Sequence, residues 1–333
     1  MNCLDLAPSG SHHALIIASK GAAPALSEQP NQPPGPGQVQ VRLRAAALNF
    51  ADLLMVDGRY QDTPPYPFVP GLEGAGEIEA LGPGIAPALG LAVGQRVAVA
   101  QQGTLAERGI FDAGNCLPIP DTLGWEAAAG FPIAYGTSHL ALTSRANLQA
   151  GETLAVLGAG GGVGLTAVEI GAAMGARVIA IARGGEKLAA ARAAGAAETI
   201  DSDAAGDLRA ALKALGGCDV VYDPVGDAPG LAAFGALRPG GRFLVIGFAG
   251  GKPPVLPLNH ALVKNIAIHG FYWGGYRSLD PAALRGSLLA LFGMQARGLL
   301  RPHVGAVLPL TQAAEAYALL KDRKVTGKVV LTI

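Results

Sequence analysis

The residues best placed to do chemistry form a glycine-rich run, Leu157-Gly158-Ala159-Gly160-Gly161-Gly162-Val163-Gly164, between the apolar stretch Thr153-Leu154-Ala155-Val156 and a helical pattern. Glycines between a buried strand and a helix let the backbone approach a phosphate closely, and the helix's unpaired N–H groups face its charge. The spacing G-x-G-x-x-G falls on Ala159, Gly161 and Gly164, with alanine in the first place, and Gly162 and Val163 complete the expected phosphate-binding turn. With 48 glycines in 333 residues, glycine strings also arise by chance. Context favours a dinucleotide site. Leu165, Val168, Ile170 and Met174 mark a helix that stops near Gly175, and Arg177-Val178-Ile179-Ala180-Ile181 supplies the next strand, closing a β-α-β unit of about 30 residues.

The end of that second strand selects the cofactor. Sites that prefer NAD carry an Asp or Glu there, which binds the ribose hydroxyls and repels a 2′-phosphate. Here the position is Ala182, followed by Arg183-Gly184-Gly185-Glu186-Lys187. Arg183 and Lys187 would attract the 2′-phosphate, so NADPH is the expected cofactor. The alternative is that both are solvated charges at the start of the next helix, with Glu186 between them.

Elements able to position such a turn run through the whole chain. From Asp121 onward helical patterns alternate with buried strands: Thr153 to Leu157, Arg177 to Ile181, Glu198 to Ile200, Asp219 to Tyr222, Arg242 to Ile246 and Asn265 to Gly270. Six strands with intervening helices predict a doubly wound parallel sheet. Between Ala14 and Pro120, Pro and Gly break the chain into short β-like pieces: Ala14 to Ile17, Val39 to Arg44, Gly76 to Ala80 and Arg96 to Val99. That pattern predicts a compact β domain, with the Pro-rich Gln29 to Gly37 as a surface turn. After Phe271, a helix from Pro281 to Arg297 and a strand from Gly327 to Thr332 are expected to return to the first domain. Residues 1 to 13 carry no clear pattern and are read as a loose arm or a cloning remnant.

Composition excludes several classes of function. Half the residues are apolar and the formal net charge is zero, with no stripe of Lys or Arg, so a nucleic-acid partner is not expected. Cys3, Cys116 and Cys218 are widely spaced and odd in number, which suits a reducing compartment without a disulfide framework. No apolar stretch reaches membrane-spanning length and no signal peptide opens the chain, so a cytoplasmic protein acting on small molecules is expected.

Further segments carry a family resemblance. Ala47-Leu48-Asn49-Phe50-Ala51-Asp52-Leu53-Leu54, Pro67-Phe68-Val69-Pro70-Gly71-Leu72-Glu73-Gly74-Ala75-Gly76, Gly94-Gln95-Arg96-Val97, Tyr135-Gly136-Thr137, Gly195-Ala196, Asp223-Pro224-Val225-Gly226 and Gly327-Lys328-Val329-Val330 join the glycine loop in this pattern. Together they resemble the medium-chain dehydrogenase/reductases, and among them the zinc-independent quinone oxidoreductases related to ζ-crystallin. The resemblance implies an α/β chain with a GroES-like catalytic domain, 14–124 and 271–333, and a Rossmann domain, 125–270, with NADPH in the cleft between them. It further implies a homodimer or homotetramer joined through the last Rossmann strands, although Asn265 to Trp273 could equally be core.

Zinc alcohol dehydrogenases of that superfamily hold a Lewis acid on soft or borderline ligands. The positions matching their catalytic cysteine and histidine are Asn49 and Leu72, and the four-cysteine lobe is reduced to Cys116. His139, His260, His269 and His303 lie far apart, so no metal site is expected. Without a metal, hydride delivery to an already electrophilic acceptor is favoured over alcohol oxidation, with hydrogen-bond donors steadying the developing oxyanion.

By resemblance, Asn49 contacts the nicotinamide ribose or substrate, Tyr60 lines the acceptor pocket or donates a proton, and Thr137 lies near the nicotinamide or diphosphate. The alternatives are a turn residue, a packing aromatic and a helix-face residue. Asp52 reads better as a first-turn acid or helix cap. Relatives often carry a second tyrosine where this chain has Leu54, leaving Tyr66 and Tyr135 as weaker substitutes. Gly247 and Phe248, and Phe271 and Trp273 with Tyr272 between them, follow strand ends, where ligands gather, or else serve as lid or interface packing. Arg323 is a candidate phosphate contact, whereas Lys328 reads as a solvated charge. A quinone reductase is the leading expectation. A C=C reductase of enones, enals or enoyl thioesters is the alternative, and a non-catalytic NADPH-binding adaptor or crystallin is a third possibility from another class.

Overall fold

A computed structural model describes residues 10–333, so most of the arm expected at 1–13 lies outside the described residues. The chain forms two compact units, one running to Ile133 and resuming at Pro302–Ile333, the other Ala134–Arg301. In the first unit β1 (Ser11–Ile16) pairs antiparallel with β2 (Ala25–Pro30), so Ser11 to His13 are strand rather than arm. Part of the Pro-rich stretch, Gln29 and Pro30, likewise ends β2 instead of forming a turn. The unit continues with β3 (Gln38–Leu48), α1 (Phe50–Val56), β4 (Glu73–Leu81), β5 (Arg96–Val99), β6 (Arg108–Asp112), β7 (Cys116–Pro118) and α2 (Trp125–Ala129). Along β3, Val39, Val41 and Leu43 point into the core while Arg42 is exposed, the alternation of a strand with one covered face.

Helix α3 (Pro132–Leu140) leads into the second unit. There follow β8 (Thr153–Leu157), α4 (Gly162–Ala173), β9 (Arg177–Ala182), α5 (Gly185–Ala193), β10 (Glu198–Asp201), α6 (Leu208–Ala214), β11 (Cys218–Asp223), α7 (Asp227–Ala236), β12 (Leu237–Val245), α8 (Leu258–Lys264), β13 (Ala267–Gly270), α9 (Tyr276–Leu279) and α10 (Pro281–Ala296). The six strands form one sheet in the order β10-β9-β8-β11-β12-β13, and every neighbouring pair is parallel. This is the doubly wound order, whose switch point lies between β8 and β11. All five residues of β8 are buried, as a strand covered by helices on both faces requires.

The chain then returns to the first unit through β14 (Val304–Pro309), α11 (Ala313–Lys321) and β15 (Lys328–Thr332). Its seven-stranded sheet runs β14-β15-β3-β4-β5-β7, with β6 also paired to β3. The return therefore starts at Pro302, not Phe271. Side-chain packing keeps residues 271–301 with the second unit: the Trp273 indole presses on Gly136, and His139 Nδ1 and Ser287 Oγ lie 2.8 Å apart in a hydrogen bond. Conversely, residues 125–133 stay with the first unit, where α2 packs on β3 and β4 and the Ile133 N–H donates to Glu73. Among the described residues no helix is long and apolar enough to cross a membrane.

Candidate functional site

In the second unit the glycine turn joins β8 to α4. Gly158 has φ +59°, a left-handed conformation that a side chain would strain, so the tight-turn role falls one residue before Ala159. This explains the alanine in the first fingerprint position: Ala159 is fully buried and its N–H bonds Ile181 O at 3.0 Å. Gly161 caps α4, and the N–H groups of Gly162, Val163 and Gly164 begin the helix without intrahelical acceptors. At Gly164 a Cβ would fall 2.2 Å from Gly158 O, so only glycine lets the helix start pack on the turn. These features fit a diphosphate on the N-terminus of a twelve-residue helix.

The turn stands at the sheet's switch point. Beside it, Asp223 at the end of β11 accepts from the N–H groups of Val225 and Gly226, both at 2.8 Å, which ties the Asp223-Pro224-Val225-Gly226 loop to the strand end. Burial raises the Asp223 carboxyl's pKa against these hydrogen bonds. β9 ends on buried Ala182, followed by exposed Arg183, while the Lys187 stem packs directly over Gly160. Gly247 N–H bonds Asp223 O at 3.2 Å, and Phe248 is exposed next to it. Thr137 is buried on α3, beside Ser138, whose hydroxyl meets Thr166 Oγ1 at 2.8 Å and Tyr222 OH at 3.0 Å. Phe271 and Trp273 are buried: Phe271 stacks obliquely on Tyr276 and Trp273 lies on Gly136, next to Thr137. Tyr135 is committed as a donor to Glu169, and burial followed by that carboxylate's charge raises its phenol pKa far above the ordinary value.

The first unit holds a different arrangement. β3 lies between β15 and β4, with Leu48 opposite Val329 on one side and Ala47 opposite Glu73 on the other. The start of β15 and the start of β4 therefore flank the point where β3 gives way to α1. Lys328 Nζ donates to Leu48 O at 2.9 Å, Asn49 Oδ1 at 2.8 Å and Glu73 Oε1 at 2.7 Å. Asn49 Nδ2 donates to Glu73 Oε1 at 3.0 Å, and Ile133 N–H donates to Glu73 Oε2 at 2.8 Å. The Lys328 side chain is 8% exposed and that of Glu73 is fully buried. Lys328 is thus not a solvated charge, because β15 has a strand on each side and Gly130 lies against the lysine stem.

Asp52 takes the structural role expected of it: its Oδ2 accepts from Asn49 N–H at 2.8 Å, across the first turn of α1. It is also fully buried, and desolvation pushes its pKa up to about 7, against the pull of the Asn49 N–H and Lys328. Its other oxygen and the buried Tyr317 hydroxyl on α11 have no hydrogen-bond partner among the described residues. Tyr60 is half-buried, against the small cluster of Ile17, Met55 and Phe68. Tyr66 donates to Met55 O at 2.8 Å, a structural bond. Arg323 is exposed beyond α11 at φ +57°.

Sequence reasoning missed Glu73 and misjudged Lys328. The available signal was one acid in the Gly/Ala-rich start of β4 and one cation opening the apolar strand Lys328-Val329-Val330-Leu331. No group of three or more His, Cys, Asp or Glu side chains that could hold a metal occurs among the described residues.

Comparison with known proteins gives this geometry its family. The profile described as "Alcohol dehydrogenase GroES-like domain" matches residues 35–121, and "Zinc-binding dehydrogenase" matches 162–288. Quinone oxidoreductase-like protein 2 of Mus musculus is 35% identical over 330 residues, 97% of this chain and 93% of its own. The quinone oxidoreductase of Pseudomonas aeruginosa is 33% identical, over 95% of this chain and 98% of its own. The chain belongs to the quinone oxidoreductase family of the medium-chain dehydrogenase/reductases. Among solved structures, the quinone oxidoreductase of Thermus thermophilus, determined alone and with NADPH, superposes with a TM-score of 0.85 at 35% identity, covering 96% of this chain and 100% of that one. Membership makes this chain an oxidoreductase with an NAD(P)-type cofactor.

Proposed function

We propose that the chain is a zinc-independent, NADPH-dependent oxidoreductase that reduces quinones or similar conjugated carbonyls. The observation that carries the cofactor choice is the end of β9: Ala182 stands where a carboxylate would repel a 2′-phosphate, and the Lys187 stem lies over Gly160 of the phosphate turn. Bound NADPH supplies a hydride from its nicotinamide ring. The glycine turn and the first N–H groups of α4 hold the diphosphate, while Arg183 and Lys187 hold the 2′-phosphate. Asn49 donates a hydrogen bond to a cofactor or acceptor oxygen, which steadies charge where a metal would otherwise act. Tyr60 lines the acceptor site and Thr137 supports the nicotinamide. Asn49 and Leu72 offer neither thiolate nor imidazole, so the reaction is assigned no metal.

Stopped-flow oxidation of NADPH by a panel of quinones, run beside 2-enals and an enoyl thioester, tests this assignment. Quinone turnover above background is the expected result. Turnover of only the C=C acceptors would reassign the chain as an enone or enoyl reductase. Calorimetric NADPH binding without turnover of any acceptor would make it a binding protein.

The same reading includes pairing of two copies along β13, giving a dimer or a tetramer built from two dimers. β13 is the sheet's edge strand and exposes Ile268, and neighbouring α8 leaves Leu262 and Val263 each 79% exposed. Sedimentation equilibrium should give an even-numbered oligomer, and a monomer at micromolar concentration would overturn the pairing.

A further inference from the structure

The ammonium of Lys328 has three hydrogens, and the backbone oxygen of Leu48, the Asn49 amide oxygen and the Glu73 carboxylate take all three. None remains for a ligand, so Lys328 can neither bind substrate nor pass on a proton without breaking this arrangement. Glu73 is equally committed, with one oxygen shared by Lys328 and Asn49 and the other held by Ile133 N–H. The group on which both charges converge is the side-chain amide of Asn49.

An amide can ordinarily turn end for end at little cost, because its two ends are nearly the same shape. At Asn49 the ends are not equivalent. Turning it would set the NH2 group against the Lys328 ammonium and the oxygen against the Glu73 carboxylate, two repulsive contacts in a site almost closed to water. The backbone is pinned as well, since Asn49 N–H is held by Asp52. One Nδ2 hydrogen is spent on Glu73, and the second has no partner among the described residues.

We infer that Lys328 and Glu73 are positioning residues that fix the polarity of Asn49, so that its free amide hydrogen is always presented as a donor to an acceptor oxygen of the bound ligand. That oxygen is a hydroxyl of the cofactor or the carbonyl of the acceptor. The inference rests on the reading above that Asn49 meets one of them. The ion pair thus works through Asn49 and touches no reacting atom itself.

Selective 15N labelling of asparagine, with the Asn49 side-chain signal assigned by its loss in N49A, tests this on the unmodified protein. Two distinct amide protons are expected, one protected from exchange by Glu73. Addition of NADP+ or of a non-reducible quinone analogue should shift and protect the second, and which one does so identifies the oxygen. A second proton unaffected by either ligand would overturn the inference.

The double variant K328M/E73Q removes both charges together, leaving no uncompensated buried ion. It should collapse the difference between the two protons and lower kcat/KM about tenfold or more. Applied in an N49A background, the same pair should cost nothing further in kcat/KM. An equal loss in both backgrounds, or an unchanged Asn49 signal in the folded double variant, would overturn the positioning role. Should the wild type reduce no acceptor, the functional reading fails, whereas the spectrum still judges the polarity of Asn49.

Discussion

The two units build their candidate sites in opposite ways. The second presents backbone: a left-handed Gly158, a helix start that tolerates nothing larger than Gly164, and cations at its margin. The first presents side chains: an amide held by a buried lysine and glutamate, beside a buried aspartate. A backbone site is written locally, in eight consecutive residues. A site of buried charges is assembled from residues 49, 73 and 328, brought together by one sheet. Removing a charge from the first site should therefore cost stability, whereas removing one from the second should cost only binding.

K328M is the strongest challenge to that contrast. It leaves Glu73 buried without its cation and should destabilise the protein by about 3–5 kcal/mol, measured by urea denaturation at neutral pH. A loss below about 1 kcal/mol would mean that the pair is no more integral than a surface bridge.

Asp52 sharpens the same contrast through pH. Its carboxyl is raised to about 7 by burial, facing Lys328, Glu73 and the Tyr317 hydroxyl, so the folded state holds its proton where the unfolded chain has released it. Its contribution is therefore intact below pH 4, declines as pH rises from about 4 to about 7, and levels off above, a span of up to about 4 kcal/mol. D52N should flatten that slope, as read from denaturation midpoints across the range. A slope unchanged in D52N would place the titration elsewhere.

In the second unit, G164A tests the backbone site. A Cβ 2.2 Å from Gly158 O must push the turn from the helix, costing about 3 kcal/mol and with it NADPH binding, followed by calorimetry. The smallest effect on the fold belongs to R183A/K187A. It should leave the melting temperature within about 1 °C while weakening NADPH about tenfold and NADH hardly at all. Equal weakening of both nucleotides would remove the 2′-phosphate from the account.

What could be read from the chain follows the same division. Strands β8 and β5 have the expected bounds, and most of the others differ by a few residues at their ends, because continuous apolar runs between glycine turns and helices permit little else. β2, β6, β7 and β14 were not expected: in β14, Val304–Pro309, only Leu308 is buried, and the strand gains its pairing only from β15. The second domain boundary falls at Pro302 rather than at the expected residue 271, because residues 271–301 are held by contacts of Trp273 and Ser287 with α3 that span more than a hundred residues.

By itself, the sequence determined the α/β alternation, the glycine turn between β8 and α4 and the missing carboxylate after β9, since each depends on residues near one another in the chain and on local backbone geometry. Only the tertiary structure decided that Gly158 carries the turn in place of Ala159, and that Lys328 is a buried partner of Asn49 and Glu73. A charge's fate depends on what surrounds it, and the surroundings of Lys328 are supplied by a strand 280 residues earlier, ending at Leu48.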